Sequence, residues 1–174
     1  QVGTVIVSGR NQQQLDKVAH DWSDTQAQLK TLLLDVEDQA SIDAAVKTIE
    51  QDYGKLDILV NNAAVAMEGD WFINTSTHID KEVLAKTFNV NLFSVVALTQ
   101  SFLPLIKKSK AGRIVNVSSV LGSLHAQADE NAEVTPIKTL AYNASKAALN
   151  SFTIHLAAAL KDTHIKVNSA HPGW

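Results

Sequence analysis

The sequence predicts an α/β fold, a single domain in which helices cover both sides of one parallel sheet. Strand-like and helix-like segments alternate along the chain, the order expected when crossover helices join parallel strands. The strand-like segments are short, nearly continuous apolar runs, which is typical of strands buried on both faces. The 174 residues are enough for one domain with its own core. We therefore expect a doubly wound parallel sheet.

The individual elements follow from apolar patterning and from residues that begin or end helices. We predict strands at residues 5–7, 31–34, 56–60, 114–117 and 165–170. We predict helices from Asn11 to about Trp22, at 41–53, from about Ile79 to Leu105, and at 140–160. Asn11 is the expected N-cap of the first helix, and Gly54 is the expected C-terminal stop of the second.

Composition excludes several classes of protein and site. The chain has no cysteine, which excludes disulfides, thiolate nucleophiles and cysteine metal ligands. A net charge of −3 offers no electrostatic support for binding nucleic acid or an anionic membrane. The six histidines are scattered without a His-x-x-x-His pair, so we expect no metal site. We see no apolar run close to the roughly 20 residues of a membrane span and expect a cytoplasmic protein.

Tyr142 and Lys146 are four residues apart within the last predicted helix, and this spacing puts both side chains on one face. A nearby ammonium group favours the phenolate and is expected to lower the pKa of Tyr142 from its usual value of about 10. Such a phenol is a suitable general acid/base for a carbonyl or an alcohol. An ordinary exposed Tyr and Lys would have the same spacing, so the rest of the chain must decide.

Three more motifs precede the Tyr/Lys pair in a fixed order. Residues 57–64 read DILVNNAA, residues 89–91 read NVN, and residues 112–119 read GRIVNVSS; Pro172 and Gly173 follow the last strand. In this order, from Val5 to Gly173, the chain closely resembles the short-chain dehydrogenase/reductase family. The resemblance implies a Rossmann-like fold and hydride transfer between NAD(P)(H) and a carbonyl or alcohol substrate.

The resemblance also implies roles for the catalytic residues Asn91, Ser119, Tyr142 and Lys146. Tyr142 would be the proton donor, and Lys146 would bind the nicotinamide ribose as well. Ser119 would orient the substrate oxygen; Ser118 is its competitor, but the family serine precedes Val-x-Gly, here residues 120–122. Asn91 would hold a water linked to Lys146. Its alternative is a core amide, because a buried mid-helix asparagine needs hydrogen-bond partners.

A second set of residues is expected to bind the cofactor. Besides Tyr142 and Lys146, the set comprises Arg10, Asp35, Val36, Asn62, Ala63, Ala64, Pro172 and Gly173. In the family an aspartate at the place of Asp35 accepts from the adenine amino group; the alternative is that Asp35 caps a helix. The alternative for Pro172 and Gly173 is a simple turn with no role in cofactor binding. Ala64 stands where the family has glycine. Because Arg10 could pair with a 2′-phosphate and no carboxylate adjoins it in sequence, we predict NADP(H) over NAD(H).

The sequence departs from the family pattern in two respects. It has no Gly-rich phosphate loop and begins at what would be the second strand, and it stops at Trp174, where the family continues into a substrate loop and a further strand. We therefore expect an incomplete domain, truncated at both ends, whose first strand is not in this chain. The 23 positions between Ser119 and Tyr142 are more than usual, and the excursion at 123–138 could be a substrate lid or an inert surface segment.

The apolar character of the helices around Asn91 and Tyr142 bears on assembly. Both helices are apolar around most of their circumference. In the family these helices pack against their copies, so we expect a homodimer or homotetramer. The rival to an enzyme is a dinucleotide-binding sensor of the same fold without turnover, although such a protein would not need the Ser119, Tyr142 and Lys146 set. The substrate cannot be identified from the sequence.

Overall fold

The computed structural model describes residues 3–22 and 27–173. Its strands are β1 (Thr4–Gly9), β2 (Gln28–Leu33), β3 (Ile58–Asn61), β4 (Arg113–Val117) and β5 (Lys166–Ala170). Its α-helices are α1 (Gln12–Asp21), α2 (Gln39–Tyr53), α3 (Lys81–Phe88), α4 (Ser94–Lys107), α5 (Leu124–Ala128) and α6 (Leu140–Ala159). All five predicted strands and all four predicted helices are present, with ends shifted by a few residues.

Local hydrogen bonds set the start of α1 and both ends of α2, and the sequence predicted two of these three ends. The side chain of Asn11 accepts from the backbone N–H of Gln14 at 3.1 Å and caps α1, as predicted. Gly54 ends α2 with a φ of 71°, the left-handed conformation that glycine adopts without strain. The N-cap of α2 is Asp38, whose carboxylate accepts from the N–H of Ala40.

The strands form two parallel sheets that a cavity separates. β1 pairs with β2, and β3, β4 and β5 pair in that order. Helices flank the strands, so the α/β class and the Rossmann-like architecture are confirmed. The sheet is not continuous, because no strand among the described residues bridges β1 and β3. A cavity of about 660 Å³ lies there, bounded by β1 on one side and β3 on the other.

The core is built where α2, α4 and the strands meet. Its central members are fully or almost fully buried: Ile42, Ala45, Leu105, Ile106, Ile114 and Ile165. Burying an aliphatic side chain of this size contributes about 1.5–3 kcal/mol relative to its exposure. The core therefore holds α2 and α4 against the strands and fixes the carboxyl ends of β3 and β4, where the candidate site lies.

The predicted long helix between about Ile79 and Leu105 is one helical stretch with an irregularity. A π-helical turn, Asn89–Phe93, interrupts it between α3 and α4. π-turns inside helices are often found at functional sites. The stretch Lys81–Lys107 is long and apolar enough to cross a membrane by length and composition, so the expectation that no apolar run approaches a membrane span is wrong by that test. Within this stretch, Leu98, Phe102, Leu105 and Ile106 of α4 are buried in the domain core.

The excursion at 123–138 contains one element that the sequence did not reveal. Ser123 accepts from the N–H of Ala126 and starts the short helix α5. A pattern of five residues is too short for helical periodicity to stand out, which is why this helix escaped prediction.

Candidate functional site

Tyr142 and Lys146 lie on one face of α6, as their spacing predicted. The Lys146 ammonium nitrogen Nζ is 5.6 Å from the centroid of the Tyr142 ring. The phenol is therefore near a cation, within the distance at which an aromatic face attracts one.

Lys146 is buried to an unusual degree for a lysine, since only 2% of its surface is exposed. Its Nζ donates to the carbonyl oxygen of Val117, the last residue of β4, at 2.7 Å. Gly122 lies directly against the Lys146 backbone, so close that a Cβ there would be 2.8 Å from the Lys146 carbonyl carbon. Burial disfavours the ammonium form and lowers the pKa of Lys146 to about 8.

The pKa of Tyr142 shifts in the direction opposite to the one expected from the sequence. Burial raises the pKa of the phenol above 10.0, and a hydrogen bond with Ser119 offsets only part of the rise. The expected lowering by Lys146 is wrong for the protein without cofactor. One hydrogen bond of the ammonium goes to Val117, and the loss of solvent around the phenol is the largest influence on the pKa of Tyr142.

Ser119 is the serine that influences the pKa of Tyr142. Hydrogen bonding with the Ser119 hydroxyl lowers that pKa, against the effect of burial, and the same hydroxyl accepts from the N–H of Leu121 at 3.1 Å. Ser118 is buried, and its hydroxyl has no hydrogen-bond partner among the described residues. The choice of Ser119 over Ser118 as the catalytic serine stays a prediction.

Asn91 lies in the π-helical turn with 0% of its surface exposed. Its amide nitrogen donates to the Val65 carbonyl oxygen at 2.8 Å and to the Ser145 hydroxyl at 3.0 Å. Its amide oxygen accepts from the Val65 N–H at 2.8 Å. These contacts are those of a core amide, the alternative weighed above, and they tie the segment after β3 to α6. The water-holding role stays a prediction.

The strands beneath the site are joined by a chain of polar side chains, of which Asn61, Asn116 and Thr153 are buried. Asn61, Asn116 and Ser169 are in register on β3, β4 and β5. Asn61 donates to Asn116 at 2.7 Å, Asn116 donates to the Thr153 hydroxyl on α6 at 2.8 Å, and Ser169 donates to the same hydroxyl at 3.0 Å. Because buried polar groups are costly without partners, this chain favours one arrangement of α6 on the strands.

Most of the predicted cofactor residues line the cavity between the sheets. They are Arg10, Asp35, Val36, Asn62, Ala63 and Ala64. The cavity opens at the carboxyl ends of parallel strands, where α/β folds bind ligands, and its size suits a small ligand or part of a cofactor. Ala64 does not have positive φ, so its replacement of the family glycine costs no backbone strain.

The catalytic set and the last two cofactor candidates do not line this cavity. Ser119, Tyr142, Lys146, Pro172 and Gly173 are absent from its wall. Pro172 and Gly173 are exposed after β5, with Gly173 at a φ of 95°. The link between the two regions runs through Val65, which lines the cavity and is held by Asn91.

Asp35 takes part in local hydrogen bonds at the end of β2. Its carboxylate accepts from the N–H of Glu37 at 3.0 Å, and its own N–H donates to the Ser41 hydroxyl at 3.0 Å. The N-cap of α2 is Asp38 and not Asp35. The remaining carboxylate oxygen of Asp35 accepts no described protein hydrogen bond, so it could accept one from a ligand in the cavity.

The structure brings Glu37 to Arg10, a neighbour that the sequence did not suggest. Arg10 is exposed, and its guanidinium nitrogen Nη1 is 3.9 Å from a Glu37 carboxylate oxygen. The other Glu37 oxygen accepts from the Asn89 amide at 2.7 Å. The neighbourhood of Arg10 therefore contains a carboxylate after all, although it comes from a different strand end, 27 positions along the chain.

Two further residues at the site escaped the sequence analysis. The Trp71 ring lies 5.7 Å from the Tyr142 ring, and Glu68 accepts from the Tyr142 backbone N–H at 3.2 Å. Both lie in the irregular segment between β3 and α3, where no periodic pattern indicates which side chains point inward. Within residues 3–22 and 27–173, no group of three potential metal ligands is close enough to hold an ion.

Comparison with known proteins gives a consistent result. Residues 2–174 match the family model described as short chain dehydrogenase. The chain is 33% identical over 175 residues to a dehydrogenase/reductase SDR family protein 7-like of Anopheles gambiae, covering 98% of this chain and 50% of that protein. It is 32% identical to the short-chain dehydrogenase anuI of Penicillium roqueforti, covering 98% of this chain and 68% of that protein.

A solved structure gives the same picture. The NADPH-bound carbonyl reductase from chicken fatty liver superposes with a TM-score of 0.79 at 26% identity, covering 98% of this chain and 68% of that one. The chain spans about half the length of several of the curated relatives that it matches.

Proposed function

Because the chain belongs to the short-chain dehydrogenase/reductase family, we propose that the protein is an NADP(H)-dependent oxidoreductase that interconverts a carbonyl and an alcohol, with Tyr142 as the general acid/base. The observation that carries the proposal is the grouping of three side chains. Ser119 lowers the pKa of the Tyr142 phenol by hydrogen bonding, and the Lys146 ammonium is 5.6 Å from the Tyr142 ring.

In the reductive direction the chain supplies the proton and the orientation. A nicotinamide cofactor, when bound, would supply the hydride that the carbonyl carbon accepts. The Ser119 hydroxyl donates to the carbonyl oxygen, and the Tyr142 hydroxyl gives its proton to that oxygen as it becomes an alcohol. Because burial raises the pKa of Tyr142, the phenol is protonated at neutral pH and ready to act as an acid.

Lys146 stabilises the phenolate that remains. Below its pKa of about 8 it is charged, and the attraction between its ammonium and the phenolate opposes the cost of burying that anion. An ammonium has three N–H donors, of which one is used on Val117. The others are free to bind the ribose hydroxyls of the cofactor.

The cofactor preference is proposed from Arg10. A guanidinium can form two charge-assisted hydrogen bonds with a 2′-phosphate, and Arg10 is exposed at the wall of the cavity. Glu37 opposes this preference, because its carboxylate would repel a phosphate and could accept from a 2′-hydroxyl instead. Arg10→Asp should weaken NADPH much more than NADH, and Glu37→Gln should tighten NADPH. Equal effects of Arg10→Asp on both cofactors would refute the assignment.

The remaining cofactor contacts are proposed from the places that the residues take in the fold. Asp35 would accept from the adenine amino group, Val36 would pack against the adenine, and residues 62–64 would line the path of the cofactor. Pro172 and Gly173 would approach the carboxamide. The substrate is a small carbonyl or alcohol compound.

The assembly and location are proposals as well. Phe93 and Ile154, on the helical stretches that we expect at a two-fold interface, are 58% and 69% exposed. Covering such side chains is favourable, which supports a homodimer or homotetramer. Light scattering would measure the assembly, and cell fractionation would test the cytoplasmic location.

The decisive experiment measures oxidation of NADPH and NADH by the full-length natural protein against a panel of aldehydes and ketones. Turnover that Tyr142→Phe abolishes would support the proposal. A matched pair separates the two serines: Ser119→Ala should lower kcat, whereas Ser118→Ala should not, because the Ser118 hydroxyl has no described partner. Cofactor binding without turnover on any carbonyl would favour the sensor. Full activity of Tyr142→Phe would overturn the mechanism.

A further inference from the structure

Glu68 is a buried carboxylate that the proposed reaction does not use. Of the charged side chains in the described part of the chain, only Glu68 and Lys146 are buried, with 8% and 2% of their surface exposed. Burying a charge is costly unless it is paired or hydrogen-bonded. Both buried charges contact α6 or belong to it, which suggests a role for Glu68 near Tyr142.

The contacts of Glu68 support that role. One carboxylate oxygen accepts from the Thr75 hydroxyl at 2.9 Å, and the other accepts from the Tyr142 backbone N–H at 3.2 Å. Tyr142 is the third residue of α6, where a backbone N–H has no partner within the helix. The side chain of Thr139, the N-cap residue, makes no capping hydrogen bond. Glu68, 74 positions earlier in the chain, therefore accepts the hydrogen bond that a capping side chain would otherwise accept.

The segment that contains Glu68 also contacts the side-chain ring of Tyr142. The Trp71 ring packs on the Tyr142 ring with centroids 5.7 Å apart and planes inclined by 40°. The Trp71 carbonyl oxygen accepts from the N–H of Lys138 at 2.9 Å, just before α6 begins. Residues 68–71 therefore hold the backbone of Tyr142, its ring, and the chain leading into the helix.

From these contacts we infer that Glu68 is a positioning residue for the acid/base Tyr142. Its carboxylate anchors the first turn of α6, and with Trp71 it holds the phenol in the orientation that proton transfer needs. A negative charge is also favoured by the positive end of the helix dipole. This inference rests on the proposed function for its catalytic consequence, but the anchoring itself can be measured without turnover.

The test compares three substitutions in the full-length natural protein. Glu68→Leu removes both acceptors at similar size. Glu68→Gln keeps an acceptor for the Tyr142 N–H, and the Thr75 hydroxyl can rotate to accept from the new amide. Thr75→Val loses only the hydrogen bond from the hydroxyl. Thr77→Val is its control, because within the described residues the Thr77 hydroxyl forms a hydrogen bond only with the exposed His78.

Two quantities are measured for each variant: kcat and KM with NADPH, and the hydrogen exchange rate of the Tyr142 amide. A misplacement of 1 Å can cost about 100-fold in rate, so a partial displacement in Glu68→Leu should lower kcat by about tenfold or more, with KM for NADPH little changed. The Tyr142 amide should exchange at least about tenfold faster, because it loses its partner. Glu68→Gln should retain most of both properties, Thr75→Val should lie between, and Thr77→Val should match the natural protein.

Wild-type kcat and wild-type amide exchange in Glu68→Leu would overturn the inference. If that variant does not fold, Thr75→Val decides the question: Tyr142 amide exchange equal to that of Thr77→Val would overturn the inference. A failure of the proposed function would be seen separately, as turnover that survives Tyr142→Phe or as no turnover by the natural protein. In either case amide exchange still decides whether Glu68 anchors Tyr142.

Discussion

Gly122→Ala should damage the candidate site by pushing on the backbone of Lys146. Gly122 ends the one-turn 3₁₀ helix Val120–Gly122. A Cβ at this position would be 2.8 Å from the Lys146 carbonyl carbon, 2.9 Å from its Cβ and 2.9 Å from its carbonyl oxygen. Two of these atoms are backbone, so they cannot turn aside as the end of a flexible side chain could.

The size of the effect follows from these distances. The closest contact must lengthen by about 0.6 Å to reach the 3.4 Å at which ordinary van der Waals contact begins. Overpacking of this kind costs about 1–3 kcal/mol, which lowers Tm by about 2–12 °C for a domain of this size. A shift of α6 by that amount also moves Lys146 and Tyr142. Because 1 Å can cost about 100-fold in rate, we expect kcat to fall by about tenfold.

The assay combines thermal unfolding with NADPH turnover, and the chain offers two matched controls. Gly112→Ala is crowded to a similar degree, with its Cβ 2.8 Å from Ile106 Cγ2, but it lies at the opposite end of β4 from the site. It should lose stability and keep its activity per folded molecule. Gly3→Ala meets no atom within 4 Å and should change neither property.

Two outcomes would refute this reasoning. Wild-type Tm and kcat in Gly122→Ala would mean that α6 does not need to move. An equal loss of activity in Gly112→Ala would mean that general destabilisation, and not displacement of Lys146, lowers the rate.

Two other predictions concern stability. The pKa of Lys146 is about 8 in the cofactor-free fold and about 10.5 in the unfolded chain, so between these pH values the unfolded chain binds the proton more readily. The free energy of unfolding should therefore rise as the pH rises from about 8 to about 10.5. This rise should be missing from Lys146→Met in denaturant titrations, and identical pH profiles would contradict the assignment. Asn116→Leu should cost about 1–3 kcal/mol, because it removes one hydrogen bond each from the buried side chains of Asn61 and Thr153. Asn61 keeps its hydrogen bond with Thr99, and Thr153 keeps its bond to the Leu149 carbonyl oxygen. An unchanged urea midpoint would show that this polar chain contributes nothing.

Local signals account for the parts of the fold that were predicted correctly. Asn11 and Gly54 mark helix ends through hydrogen bonds and backbone angles within a few residues. The i, i+4 spacing places Tyr142 and Lys146 on one face of any helix that contains both. The apolar runs indicate strands, and the DILVNNAA motif places residues 61–64 at the end of one.

The sequence by itself therefore determined the α/β class, the order of elements and the grouping of Tyr142 with Lys146, because each depends on neighbours along the chain. Only the tertiary structure decided that Glu37 faces Arg10, that Glu68 anchors the start of α6, and that Asn91 binds Val65. It also reversed the expected pKa shift of Tyr142, because that shift depends on how much solvent the fold removes. Contacts and burial join residues far apart in the chain, and no local pattern records them.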